Sequence, residues 1–110
     1  MHFCVTANYT PETLKAMAKN PGASRVAAIE KLLDAAGGKL VCMFHTIAEG
    51  PGAIVIFDAE PQKAMAMAAL VTSSGAMHNV KFQRLATAEE VVEIRRTRLE
   101  LEAAYAPPGH

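Results

Sequence analysis

The apolar and polar positions of the chain change period several times, and each change marks an element. Residues 2–8, HFCVTAN, alternate, with Phe3, Val5 and Ala7 on one side and Cys4, Thr6 and Asn8 on the other, which is strand period. The next stretch, YTPETLKAMAKNPG, turns helical. Thr10 suits its N-cap, Pro11 its first position, and Asn20-Pro21-Gly22 stops it. A second helix is predicted in SRVAAIEKLLDAAGG, where Val26, Ile29, Leu32, Leu33 and Ala36 share a face and Gly37 suits a left-handed C-terminal cap.

Residues 39–48 read as a strand. Residues 53–59, AIVIFDA, read as another, apolar on both faces and therefore central. Between them, Gly50-Pro51-Gly52-Ala53 fits a type II turn, with proline second and glycine third. EPQKAMAMAALVTSSG is a helix of small and flexible apolar residues. Residues 77–86 alternate again, His78, Val80 and Phe82 against Asn79, Lys81 and Gln83. Thr87 and Glu90 then form a capping-box pattern, and the helix beyond runs through Val91, Ile94, Leu101 and Tyr105.

The order β–α–β–β–α–β plus a last helix predicts an α+β fold of ferredoxin-like type. This is a four-stranded antiparallel sheet, order 4-1-3-2, with helices on one face and a C-terminal helix added. One domain is expected over 1–105, with 106–110 as a tail. The sheet's second face lies bare unless a partner subunit or the last helix covers it, because monomers rarely expose large apolar patches.

Composition narrows the function classes. Eleven basic and eleven acidic side chains cancel, so no overall field or basic stripe favours nucleic acid. Half of the residues are apolar, which argues against disorder. No apolar run approaches the roughly 18 residues needed to cross a bilayer, and the N-terminus lacks the pattern of a secretion signal. With only Cys4 and Cys42 as cysteines, a cytoplasmic location is the default expectation.

The chain resembles the GYD-domain family of small bacterial ferredoxin-like proteins. The resemblance spans roughly residues 3 to 97 and rests on NYTPETL after the first strand, AAGGKLV before the second, and the spacing to AIVIFDAEP. The family is named for a glycine followed closely by Tyr-Asp at the second hairpin. Here Gly50-Pro51-Gly52 fills that place, so the tyrosine and aspartate are missing, and Thr13 stands where a glycine is expected. The resemblance implies the fold and leaves activity open. No role of the missing pair carries over.

In a 4-1-3-2 sheet, one end gathers Asn8, Tyr9, His45, Glu49 and His78 around the Gly-Pro-Gly turn. The opposite end gathers His2, Lys39, Asp58 and Arg84. The first cluster holds the candidate chemistry. His45 could exchange a proton near neutral pH with Glu49 as the orienting carboxylate, and Asn8, Tyr9 and His78 as ligand-binding groups. The plainer alternative is a strand histidine with a local hydrogen bond beside a solvated turn glutamate. Alternation leaves open whether His45 and His78 share a face. At the other end, Asp58 with Lys39 or Arg84 would form a rim ion pair of little energetic weight.

No metal site is expected, because no His-x-x-x-His or Cys-x-x-Cys spacing occurs. Strands 1 and 2 are separated by strand 3 and so lie about 9.5 Å apart, too far for a disulfide between Cys4 and Cys42. Met17, Met43, Met65 and Met67 are read as core before pocket lining. No cofactor is implied, since the glycines precede a strand and no helix N-terminus offers a phosphate loop.

Two functions are carried forward. One is a homo-oligomeric binding or assembly module, joined through the sheet face or the C-terminal helix, with a small apolar ligand and neither nucleic acid nor membrane as partner. The other is a cofactor-independent enzyme of the dimeric α+β-barrel type, with His45 as acid/base. That second reading rests on analogy of fold.

Overall fold

The structure is a computed structural model and describes residues 1–109. The last residue of the predicted 106–110 tail lies outside them. The elements run β1 (His2–Tyr9), α1 (Pro11–Ala18), α2 (Arg25–Ala35), β2 (Lys39–Thr46), β3 (Gly52–Asp58), α3 (Pro61–Ser73), β4 (Met77–Leu85) and α4 (Ala88–Leu101), followed by a short 3-10 turn, Glu102–Ala104. The four strands form one antiparallel sheet in the order β2-β3-β1-β4. This is the expected 4-1-3-2 order, and β3 is interior as its two apolar faces imply.

Side-chain caps start α1, α2 and α4. Thr10 accepts from the Thr13 amide with Pro11 at the first position, and Ser24 accepts from the Ala27 amide. Thr87 and Glu90 close a reciprocal capping box on α4. Gly37 takes a positive φ of 73° just beyond α2 and so lets the chain turn back towards β2.

One face of the sheet is covered. Phe3 and Phe57 from neighbouring strands are buried with Leu33 of α2, and Ala64 and Met67 of α3. The rings of Phe3 and Phe57 lie 5.7 Å apart, and those of Phe3 and Phe82 5.1 Å. Such offset aromatic pairs each contribute about 0.5–1.5 kcal/mol beyond the area they bury. Ile29, Leu32 and Ala36 pack against this core as the helical pattern requires, whereas Val26 of the same predicted face is exposed.

Among the described residues, no helix covers the opposite face. By register it presents Cys4 and Thr6 of β1, Ile54 and Ile56 of β3, and Cys42 and Phe44 of β2. Phe44 is 65% exposed. Cys4 and Cys42 both pair with Ile56, one from each side, so two strand spacings part these free thiols.

The last helix leaves the sheet. Only Glu90 and Val91 of α4 are partly buried, and every later position of the helix is exposed. The molecule is consequently elongated, 59 × 33 × 23 Å with a radius of gyration of 17.7 Å. A compact chain of this length would have about 13 Å.

Two local expectations are corrected. Strand β4 does not alternate throughout. Asn79 adopts a positive φ of 53° and the β1–β4 register slips there. This bulge turns His78 to the face of Lys81 and Gln83, away from Val80 and Phe82. The turn before β3 is not type II across residues 50–53 either. The left-handed residues are Glu49 (φ 51°) and Gly50 (φ 87°). Gly52 is already strand, and a Cβ there would lie 2.0 Å from the Ala7 carbonyl oxygen. Close approach of β1 is the reason for a glycine at 52, and left-handed backbone is the reason at 50.

Candidate functional site

Two places on the molecule merit description as sites, and the sheet divides them. The first is the end of the sheet around the β2–β3 turn. That turn is latched to the end of β1: the Tyr9 amide donates to the Pro51 carbonyl (2.9 Å), and Asn8 Nδ2 donates to the Gly50 carbonyl (2.5 Å). Thr46 Oγ1 donates to the same Gly50 oxygen (3.2 Å). Asn79 Nδ2 donates to Asn8 Oδ1 (3.1 Å), so both ends of the Asn8 amide are engaged in holding the turn and the β4 bulge.

The five residues expected to gather here do so along the chain direction but fall on two faces. Asn8 and His78 are register partners on the open face. Tyr9 and His45 lie on the helix side, since His45 pairs with Ala53 and Tyr9 with Met77, and their rings stack at 6.5 Å between centroids. Tyr9 is buried and His45 exposed. Among the described residues, no hydrogen bond or ion pair joins His45 to Glu49, Asn8 or His78.

The second place is a cavity of about 70 Å³ between the sheet and α2 and α3. Its walls include Val55 and Met43 from the sheet, Ile29 from α2, and Met67 and Val71 from α3. Tyr9 closes one end, so the Tyr9–His45 pair stands at its edge. Met43 and Met67 thus line the cavity, while Met65 is exposed and Met17 borders a shallow groove outside α1. Arg25 borders both the cavity and that groove, and its Nε is buried without a hydrogen-bond partner. Reading the sequence for acid/base groups passed over Arg25. The available signal was its spacing, because positions 25, 29, 32 and 36 lie on one helical face and Arg25 is the charged member of it.

The opposite end of the sheet is held differently from expectation. Asp58 accepts from the N-terminal ammonium at 2.6 Å, and Arg84 pairs with Glu90 of α4 at 2.6 Å, so the expected pairing of Asp58 with Lys39 or Arg84 does not form. The hydrogen bond from the ammonium holds the Asp58 carboxyl below its ordinary value, with the charges of His2 and Lys39 adding to the effect. Glu90 is lowered chiefly by the Thr87 amide and then by Arg84. Both pairs are solvent-exposed and fix geometry more than they stabilise. Among the described residues, no group of three or more His, Cys, Asp or Glu side chains could hold a metal ion. Among the described residues, no helix is long and apolar enough to cross a membrane.

The fold and its covered cavity define the class: a small α+β protein with a ferredoxin-like sheet and helices on one face. Comparison with known proteins carries this to a family. The GYD domain family matches residues 3–94, and the chain belongs to that family. Among solved structures it is similar to 5-chloro-2-hydroxyhydroquinone dehydrochlorinase (TftG) from Burkholderia phenoliruptrix AC1100, in complex with 2,5-dihydroxybenzoquinone. The TM-score is 0.57 at 19% identity, over 81% of this chain and 97% of that one, a likeness of fold. No curated protein matches.

Proposed function

We propose that this GYD-domain protein is a cytoplasmic, self-associating binding module, with a second copy of the chain as partner and a small apolar ligand in the cavity beneath the helices. The exposed stripe on α4 carries the reading. Val91, Ile94 and Leu101 recur at spacings of three and seven, the pattern of a narrow helix seam, with Tyr105 just beyond the 3-10 turn, and Ile94, Leu101 and Tyr105 are uncovered. The stripe is flanked by Glu93, Glu100 and Glu102 and by Arg95, Arg96 and Arg98, equal numbers of each sign. Such a surface is complementary to itself and not to a strongly charged partner. The open sheet face adds Phe44, Ile54 and Ile56, which a second copy would cover. Free thiols at positions 4 and 42 suit a reducing compartment.

Sedimentation at micromolar concentration tests the assembly. A mass that is a multiple of one chain is expected, and Leu101→Asp or Phe44→Ser should shift it towards the single chain. A monodisperse monomer of the unmodified protein overturns the reading.

One observation favours a second reading, a cofactor-independent enzyme. The Tyr9–His45 stack stands at the cavity edge, where His45 could move a proton to or from a ring lying on the pair, with Glu49 on the adjacent turn as its orienting carboxylate and Asn8 and His78 on the far face. The solved relative was obtained with 2,5-dihydroxybenzoquinone, which makes that compound the first probe. Its absorbance should change on titration with the protein and not with His45→Gln. An unchanged response in His45→Gln removes His45 from the mechanism.

A further inference from the structure

Two apolar surfaces of this chain are uncovered, and they match in size. On the open face of the sheet, Cys42 and Phe44 of β2, Ile54 and Ile56 of β3, and Cys4 and Thr6 of β1 form a band. The band spans two strand spacings, about 9.5 Å, and the seven residues of β3 run for about 23 Å. On α4, Ile94, Thr97 and Leu101 recur at three and four residues and so lie in one row, all exposed. A helix with its side chains is about 10–12 Å wide, and the 14 residues of α4 run for about 21 Å. One helix therefore matches the band in width and length.

α4 is held off its own sheet. Two residues, Ala86 and Thr87, join it to β4. Its first turn is closed by the Thr87–Glu90 capping box and tied back to β4 by the Arg84–Glu90 pair. The helix so aimed gives the molecule its 59 Å length. Charge suits the open face of a neighbour. Glu93 and Glu100, seven residues apart, flank the row on one side, and Arg98 flanks it on the other. Lys81 borders the band along β4, as the register partner of Thr6, while β2 is the outer strand on the other side. A helix seated on the band sets its acidic flank against the lysine and its arginine towards solvent.

Building on the reading of this protein as self-associating, we infer that α4 of each copy lies on the open sheet face of the other, in a reciprocal exchange about a two-fold axis. Ile94 and Leu101 seat on Ile54 and Ile56. Pairing of two sheets covers the band and leaves the helix row in water, and pairing of two helices does the reverse. Exchange covers both. Its two contacts, counted on both partners, remove on the order of 1,000 Å², the level a specific interface needs.

The test places a thiol in the row by Thr97→Cys in the full chain and adds a short bismaleimide. Cys4 and Cys42 of the open face are the native targets. A covalent pair of chains should form at least about tenfold more than in the unmodified protein, because thiols held in one complex meet at an effective concentration far above the bulk. The pair should vanish when Cys4→Ser and Cys42→Ser are added. A pair that persists without the native thiols assigns helix to helix and overturns the exchange. An equal yield in the unmodified protein assigns sheet to sheet and overturns it too. So does the absence of a covalent pair, or a link confined to one chain. In each of these cases a solution mass that is a multiple of one chain leaves the self-associating reading standing. A single-chain mass overturns both.

Discussion

The two faces of the sheet are made by the same strands and both carry apolar side chains in β3, yet only one is packed. On the helix side Phe3, Phe57 and Phe82 stack and Leu33 and Met67 close over them. On the other side Cys4, Ile54, Ile56 and Cys42 remain half exposed and Phe44 stands largely in solvent. A strand designed for one dry and one wet face alternates apolar and polar residues. β3 does not: Ala53, Val55 and Phe57 face the helices while Ile54 and Ile56 face outward. β3 is composed for two covers, and the described residues supply one.

The comparison can be broken by paired substitutions. The largest effect is expected for Phe57→Ala, a loss of about 3–5 kcal/mol from a packed ring site. Ile56→Ala, one residue along on the open face, should cost clearly less in dilute solution and more as protein concentration rises. Urea unfolding at two concentrations measures both. Equal, concentration-independent losses would show that the faces are equivalently packed.

Next comes Gly52→Ala, at about 2–3 kcal/mol, because the new methyl meets the Ala7 backbone at 2.0 Å and backbone cannot yield as a side chain can. Gly22→Ala, with nothing within 4 Å, is the control and should stay within about 0.5 kcal/mol. The same melts read both.

A smaller loss, about 1 kcal/mol, is expected for Thr87→Ala, which removes the cap of α4. Hydrogen exchange should quicken at Glu90 and Val91 and stay unchanged at Phe3 and Phe57. Spread of the effect into the core would show α4 to be coupled to the packed face.

The smallest effect is a pH response at the same cap. Glu90 has a folded pKa below its ordinary 4.5, so its contribution is present above that value and is lost as pH falls through the lower folded one. Amide protection factors at the start of α4, corrected for the intrinsic pH dependence of exchange, should fall on acidification in that window, and Glu90→Gln should remove the change. A response that survives in Glu90→Gln would assign it to another carboxyl.

Much of the fold was legible along the chain. Thr10, Pro11, Gly37, Thr87 and Glu90 mark helix ends by chemistry that acts over a few residues, and each acts as expected. AIVIFDA announced a central strand through apolar residues on both faces. The candidate site was legible only in part. The order of strands brings Asn8, Tyr9, His45 and His78 to one end, but the faces they take depend on register. A single bulge at Asn79 reverses the side of His78 relative to Val80 and Phe82. The turn was misassigned because Gly-Pro-Gly fits a type II pattern locally, whereas the approach of Ala7 draws Gly52 into the strand and moves the left-handed residues to 49 and 50.

Element types, helix ends and strand order follow from short-range chemistry and periodicity, and these the sequence carries without reference to anything distant. The cavity, the unpaired Arg25 Nε and the departure of α4 from the sheet are different in kind. Each depends on how far apart two elements settle once packed. A side chain has no partner, or a helix no cover, only in relation to residues far away in the chain.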